Sequence, residues 1–125
     1  MIAGVGIDII EVERVATKLG KQSGFREMVF SKNEIEYCEI KANKFEHYAA
    51  RFAAKEAFFK ALGTGWINGT AFNEVEIIND EKGKPALILS GETATTIAAI
   101  MSFKKISVSL THLKTIASAI VIMEQ

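Results

Sequence analysis

One run of residues limits what this chain can fold into more than any other. Arg51 to Gly65 reads Arg-Phe-Ala-Ala-Lys-Glu-Ala-Phe-Phe-Lys-Ala-Leu-Gly-Thr-Gly. It holds no proline, is rich in the strong helix formers Ala and Lys, and stops at glycines. Extended back to about Asn43, it predicts a helix through Leu62. At about 100° per residue, Phe45, Tyr48, Phe52, Phe59 and Gly63 share one stripe, which predicts an amphipathic helix with that face buried. Glu56 falls about 40° from Phe52, at the edge of the apolar face, and Lys55 and Lys60 flank it. An unpaired buried carboxylate costs several kcal/mol. Glu56 is therefore expected to have a cationic partner, with Lys60 at i+4, Lys55 and Arg51 as the near choices.

Such a helix needs apolar surface to pack against, and hydrophobic residues make up 49% of the 125. That fits a single domain over residues 1–125. Lys plus Arg and Asp plus Glu balance at 15 each, which argues against bulk electrostatic binding to nucleic acid or membrane. The apolar start, Met1 to Ile10, lacks a basic n-region and is interrupted by Asp8, so it reads as neither signal peptide nor membrane span. With one cysteine, Cys38, no internal disulfide forms. A cytoplasmic protein is expected.

Residues 2–8 predict a strand with Ala3, Val5 and Ile7 on one face and Gly4, Gly6 and Asp8 on the other. The glycines leave room for something to approach closely. A short helix is expected from Ile9 to Gly20, then a brief Phe25–Phe30 segment. Ser31-Lys32-Asn33-Glu34 fits a capping box opening a helix to about Ile40. After the long helix, Phe72–Asn79 and Pro85–Leu89 read as strands joined by the turn residues 80–84. A helix from Ser90 to Ser102 and a hairpin of 105–111 with 116–123 complete the chain. Strands and helices mix without strict βαβ alternation, so the expected class is α+β, a small mixed sheet packed with a long central helix.

Each candidate site has a bland reading beside a functional one. Asp8 fits an N-cap, since Asp8-Ile9-Ile10-Glu11 has capping-box spacing; it also fits a metal ligand at a strand end. Glu56 is either a surface ion pair or half of a Mg²⁺ site, an ion that keeps waters and completes its shell with substrate phosphates. Lys55, Lys60 and Gly63-Thr64-Gly65 either bind phosphate or are a snorkelling lysine face and a helix stop. His112 is a strand-end packing residue or a site residue. Cys38, on an exposed-looking helix, reads as inert. The basic series Arg14, Lys18, Lys21 and Arg26 is a solvated helix face or a dock for an acidic partner.

Three separated stretches agree on one family. Gly4-Val5-Gly6-Ile7-Asp8-Ile9, Phe52 to Ala61 with Gly63-Thr64-Gly65, and Val108-Ser109-Leu110-Thr111-His112 resemble the 4′-phosphopantetheinyl transferases. Length and element order resemble the short branch, the holo-[acyl-carrier-protein] synthases. Phe30-Ser31 through Glu36-Tyr37-Cys38 and Gly83-Lys84-Pro85 extend the likeness over nearly the whole chain, and Lys55-Glu56-Ala57-Phe58-Phe59-Lys60 is its most specific part.

The resemblance implies transfer of the 4′-phosphopantetheine arm of coenzyme A to a serine of apo acyl carrier protein, in fatty acid biosynthesis. Adenosine 3′,5′-bisphosphate is released. It implies Asp8 and Glu56 as Mg²⁺ ligands and Lys60 on coenzyme A phosphates. Lys44, Arg51, Gly63, Lys84, Pro85 and His112 would line the coenzyme A pocket. Arg14, with Lys18, Lys21 and Arg26, would meet the acidic helix of the carrier. A homotrimer with active sites between subunits is also implied. The chain departs from the pattern at Thr111, where many members have serine, and in its basic spacing after Arg14. Two other readings compete: a Mg²⁺-dependent nucleotide pyrophosphate hydrolase, and a non-catalytic module that binds coenzyme A or a carrier.

Overall fold

A computed structural model describes all 125 residues. The order is β1 (Ile2–Glu11), α1 (Val12–Gly20), α2 (Phe25–Val29), α3 (Lys32–Glu39), α4 (Lys44–Leu62), a 3₁₀ turn (Phe72–Glu74), β2 (Val75–Asn79), β3 (Pro85–Leu89), α5 (Gly91–Ile100), β4 (Lys105–His112) and β5 (Ile116–Glu124). The α+β class and the central helix are as expected. The strands, however, form two antiparallel sheets in place of one mixed sheet: a three-stranded sheet in the order β1-β5-β4 and the β2-β3 hairpin. No helix is long and apolar enough to cross a membrane.

Helix α4 lies across the three-stranded sheet, and glycine decides how closely. Gly4, Gly6 and Asp8 face α4, as the alternation of residues 2–8 predicts. A Cβ at Gly6 would sit 1.9 Å from the Ala57 carbonyl oxygen, and one at Gly4 would sit 2.0 Å from that of Ala61. Both obstacles are backbone, so neither position tolerates a side chain without moving the helix. Ala53, Ala54, Ala57 and Ala61 keep the helix side of this contact small and are all buried.

The expected single apolar stripe on α4 is not what forms. Twelve of its 19 residues are buried, on every side, while Phe45 is 40% exposed. The helix separates two apolar clusters. One lies against the sheet, the β2-β3 hairpin and α5; the other lies against α1, α2 and α3. A helix wrapped on all sides carries buried residues all round.

Lys55 is corrected with it. Instead of flanking a stripe or meeting phosphate, its side chain is fully buried, its Nζ 2.7 Å from Glu34 Oε1. It also donates to the carbonyl oxygens of Phe72 (2.8 Å) and Val75 (2.5 Å). Glu34 completes the node. Its Oε1 accepts from Ser31 N–H, closing the predicted capping box, and its Oε2 accepts from Ile77 N–H at 3.0 Å. One ion pair thus ties α3, α4, the 3₁₀ turn and β2.

Other boundaries shift for local reasons. β1 continues to Glu11 because its backbone stays paired with β5 as far as Ile116. Asp8 is therefore mid-strand opposite Ala119, and the expected cap at Asp8 does not form. The first part of the expected strand 72–79 is the 3₁₀ turn. Ser90 precedes α5 without a capping bond from its side chain; Glu74 Oε1 instead accepts from Thr93 N–H (3.1 Å) and Thr93 Oγ1–H (2.8 Å). Cys38 is buried, not exposed, and burial pushes its thiol up to about 12, which makes it inert.

Lys55→Met leaves the Glu34 carboxylate buried without a counter-charge, and is expected to cost about 3–5 kcal/mol. The double variant Lys55→Met/Glu34→Gln removes both charges but keeps only one acceptor oxygen for the N–H groups of Ser31 and Ile77, and is expected to recover part of that loss. Urea unfolding of the three proteins checks both expectations.

Candidate active site

The contact of α4 with β1 brings together residues far apart in sequence. Asp8 projects from the α4-facing side of β1, and Lys60 from the last turns of α4 reaches back to it. Lys60 Nζ is 3.0 Å from Asp8 Oδ1 and donates to the Ile7 carbonyl oxygen at 3.0 Å. Lys60 therefore pairs with Asp8, not with Glu56 as the i+4 spacing suggested.

Glu56, one turn earlier, has no ion pair and no hydrogen bond. It is half-buried, and its carboxyl is pushed above the ordinary range, first by desolvation and next by the charge of Asp8. Lys60 and Lys18 act weakly in the opposite direction. A pair of mutually repelling carboxylates, one without a partner, is an arrangement that a cation would relieve. No group of three or more His, Cys, Asp or Glu residues converges anywhere. Two carboxylates with open positions suit Mg²⁺, which keeps waters and takes phosphate oxygens, better than a metal needing a closed protein cage.

A second feature lies across the sheet. A small cavity of about 210 Å³ opens between the start of α4, the β2-β3 turn and the end of β4. Arg51, Pro85 and His112 line it, together with Tyr37, His47 and Asn79. Arg51 is buried; its guanidinium stacks 4.1 Å from the Tyr37 ring centroid and donates from Nη2 to Asn79 Oδ1 at 2.5 Å. His112 Nδ1 is 2.8 Å from Glu46 Oε1. The exposed Lys84 belongs to the neighbouring turn, its N–H bonded to Asp80 Oδ1.

The basic series divides. Arg14 is exposed on α1, and Lys18 lies over the rings of Phe25 and Phe52, close enough to act on Glu56. Lys21, Arg26 and Lys44 border a cavity of about 510 Å³ beside α1 and α2. Arg26 is engaged by Glu27 at 2.6 Å and Glu39 at 3.6 Å, and Lys44 by Glu39 at 3.3 Å. Lys44 therefore sits with the basic surface, away from the His112 cavity. Gly63, at φ +81°, closes α4 beyond Lys60 and also lies outside that cavity.

Residues 4–118 match the model of the 4′-phosphopantetheinyl transferase superfamily. The chain belongs to this superfamily. A holo-[acyl-carrier-protein] synthase of Cytophaga hutchinsonii is 44% identical over 126 residues, covering 100% of this chain and 99% of the relative. The crystal structure of a holo-(acyl-carrier-protein) synthase from Bacillus anthracis, in complex with CoA (3′,5′-ADP), superposes with TM-score 0.82 at 37% identity. It covers 100% of this chain and 98% of that one. The Neisseria meningitidis holo-[acyl-carrier-protein] synthase reaches TM-score 0.88 at 27% identity, with 100% coverage of both chains.

For a transferase of this superfamily, the sequence motifs mark two separate clusters. Asp8, Glu56 and Lys60 gather at the β1 side of α4; Arg51, Pro85 and His112 gather at the β4 side. Tyr37, His47, Asn79 and Glu46 were not picked out from the sequence. Only the Glu36-Tyr37-Cys38 likeness pointed near them, because each acquires its neighbours through tertiary contacts.

The Glu56 shift has a sign that can be measured. Its folded-state affinity for a proton exceeds that of the unfolded chain, whose value is near 4.5. The stability it contributes is fully present below that pH and is lost as pH rises through the folded value. Glu56→Gln is therefore expected to stabilise the protein in EDTA at pH 7, with the gain fading as pH falls through the folded value and gone below about 4.5. Urea unfolding across pH 4–7 checks this; a pH-independent difference would contradict it.

Proposed function

We propose that the protein transfers 4′-phosphopantetheine from coenzyme A to a serine hydroxyl of apo acyl carrier protein, releasing adenosine 3′,5′-bisphosphate, in the service of fatty acid biosynthesis. The observation that carries this reading is the meeting of Asp8, unpartnered Glu56 and Lys60 on one exposed flank of α4. The serine oxygen attacks the phosphorus that carries the pantetheine arm. The bond from that phosphorus to the bridging oxygen breaks, and the bisphosphate leaves with the electron pair. A base takes the serine proton. Asp8 and Glu56 would hold Mg²⁺, which supplies neutralisation of charge on the phosphoryl oxygens. Lys60 adds a mobile ammonium within reach of the same oxygens. Arg51, Lys84, Pro85 and His112, joined by Tyr37 and Asn79, would take the nucleotide end of coenzyme A. Arg14, Lys18 and Lys21 on and beside α1 would receive the acidic carrier next to the carboxylates. Arg26, already engaged by two glutamates, would contribute least.

The reading includes a homotrimer with shared active sites, and the same geometry supports the sharing. His47 and Glu56 are nine residues apart on α4, about 180° around the helix and about 14 Å along it. Asp8 and His112 lie on β1 and β4, with β5 between them. The phosphate-handling flank and the nucleotide cavity thus open on opposite sides of α4, and juxtaposing two copies would supply both to one coenzyme A. The outer face of the sheet offers the contact. Val5, Ile7 and Ile9 are 53–68% exposed, beside Ile122, Ile120 and Ser118 of β5. An apolar strip of this kind favours burial against further copies.

The deciding experiment incubates the protein with coenzyme A, Mg²⁺ and an apo carrier and weighs the carrier. The pantetheinyl adduct is expected with the natural chain and absent with Glu56→Gln. Cleavage of coenzyme A without an adduct would favour the hydrolase, and binding without either product a non-catalytic module. The shared site gives a second expectation. Glu56→Gln and a cavity variant such as His112→Ala, each impaired alone, should regain activity when co-refolded, since mixed assemblies contain some sites with neither lesion. A mixture no more active than the sum of its parts would place both clusters in one subunit's site.

A further inference from the structure

The cavity beside His112 contains an arrangement that neither the motifs nor the family likeness accounts for. Glu46 stands in the first turn of α4 with its side chain 18% exposed, and its Oε1 is 2.8 Å from His112 Nδ1. The ring is also held from the side: His47 packs edge-to-face against it at 5.2 Å between centroids, and Tyr37 packs on His47 in turn at 5.7 Å. Three elements, α3, α4 and β4, therefore fix one imidazole at the wall of the cavity.

We propose that Glu46 is the positioning residue for His112, holding the proton on Nδ1 and turning Nε2 toward the phosphate-bearing nucleotide in the cavity. The proposal rests on the coenzyme A reading of that cavity. A carboxylate only accepts, so the nitrogen facing Glu46 carries the hydrogen, and the bond to one ring nitrogen settles what the other presents. With a carboxylate on Nδ1 and a phosphate oxygen on Nε2, the ring carries both protons and bridges two anions through charge-assisted hydrogen bonds. Glu46 touches no substrate in this arrangement. It acts through His112, and its effect falls on nucleotide binding, leaving the chemical step at Asp8 and Glu56 alone.

Two variants separate charge from geometry. Glu46→Gln keeps an oxygen that accepts from Nδ1–H but removes the charge; Glu46→Ala removes both. The ring nitrogens of His112 are followed by ¹⁵N NMR in the ligand-free protein, assigned by their loss in His112→Ala. Binding of adenosine 3′,5′-bisphosphate is measured by calorimetry. In the natural chain and in Glu46→Gln, the hydrogen is expected on Nδ1. In Glu46→Ala it should redistribute toward Nε2. The bisphosphate Kd and the KM for coenzyme A should rise about tenfold in Glu46→Ala and about threefold in Glu46→Gln, with kcat within about twofold of the natural chain. Unchanged ring shifts and unchanged affinity in Glu46→Ala would overturn the proposal, as would a fall in kcat at unchanged KM. Failure of the natural chain to bind the bisphosphate would instead overturn the coenzyme A reading of the cavity. The ring shifts of the ligand-free variants decide the role of Glu46 toward His112 in either case.

Discussion

The close approach of α4 to β1 is the constraint on which the rest of the molecule depends. Gly4 and Gly6 let the helix backbone settle directly on the strand, with the carbonyl oxygens of Ala57 and Ala61 where side chains would otherwise stand. The next residue on that strand face is Asp8, and the residue preceding Ala57 is Glu56. The packing contact and the juxtaposition of carboxylates are therefore one event. Enlarging either glycine would lift the helix and separate the pair, so the small residues are as much a part of the site as the charged ones.

Holding the helix at that depth takes more than apolar packing, because α4 is enclosed on nearly every side. The Lys55–Glu34 pair supplies direction. Lys55 satisfies its three hydrogens with one carboxylate and two backbone carbonyls, while Glu34 gathers the start of α3 and the N–H of Ile77. A pair buried this completely gains little net stability over apolar substitutes. Its value lies in fixing register, because the donors and acceptors are satisfied in one rotation of α4 only. That rotation turns Glu56 toward Asp8 and His47 toward His112.

The sequence made some of this legible and some not, and the division follows the range of the interactions. The long helix, its glycine stop, the Ser31 capping box and the β2-β3 turn depend on neighbours within four residues, and all appear as read. The strand face bearing Gly4, Gly6 and Asp8 was legible too, since alternation is local. Lys55 was misread because its partner is 21 residues away; a lysine beside an apolar stripe looks the same whether it snorkels or is buried. Asp8 looked like a cap because Ile9 to Glu11 fits a helix start as well as a strand, and pairing with β5 decided between them. The Tyr37, His47 and Glu46 set had no local signature. Its members come from α3 and α4 and meet His112 only when β4 is in place.

The two halves of the candidate site differ in how the fold treats their charges, and the difference suits their tasks. At the His112 cavity most polar groups are answered within the chain, Arg51 by the Tyr37 ring and Asn79 and His112 by Glu46, while the buried Arg51 Nε alone has no partner. Such a wall is rigid before its ligand arrives, so little ordering remains to be done on binding. At the Asp8–Glu56 flank the chain leaves charge unbalanced, with two carboxylates in proximity and one ammonium, that of Lys60, paired with Asp8 alone. That half is destabilising in isolation, and a cation entering it would relieve the repulsion. The proposed function thus sets binding on the more fully satisfied side and reactivity on the unsatisfied side. Helix α4 holds the two apart within a subunit, which is why the proposed transfer would draw on more than one copy of the chain.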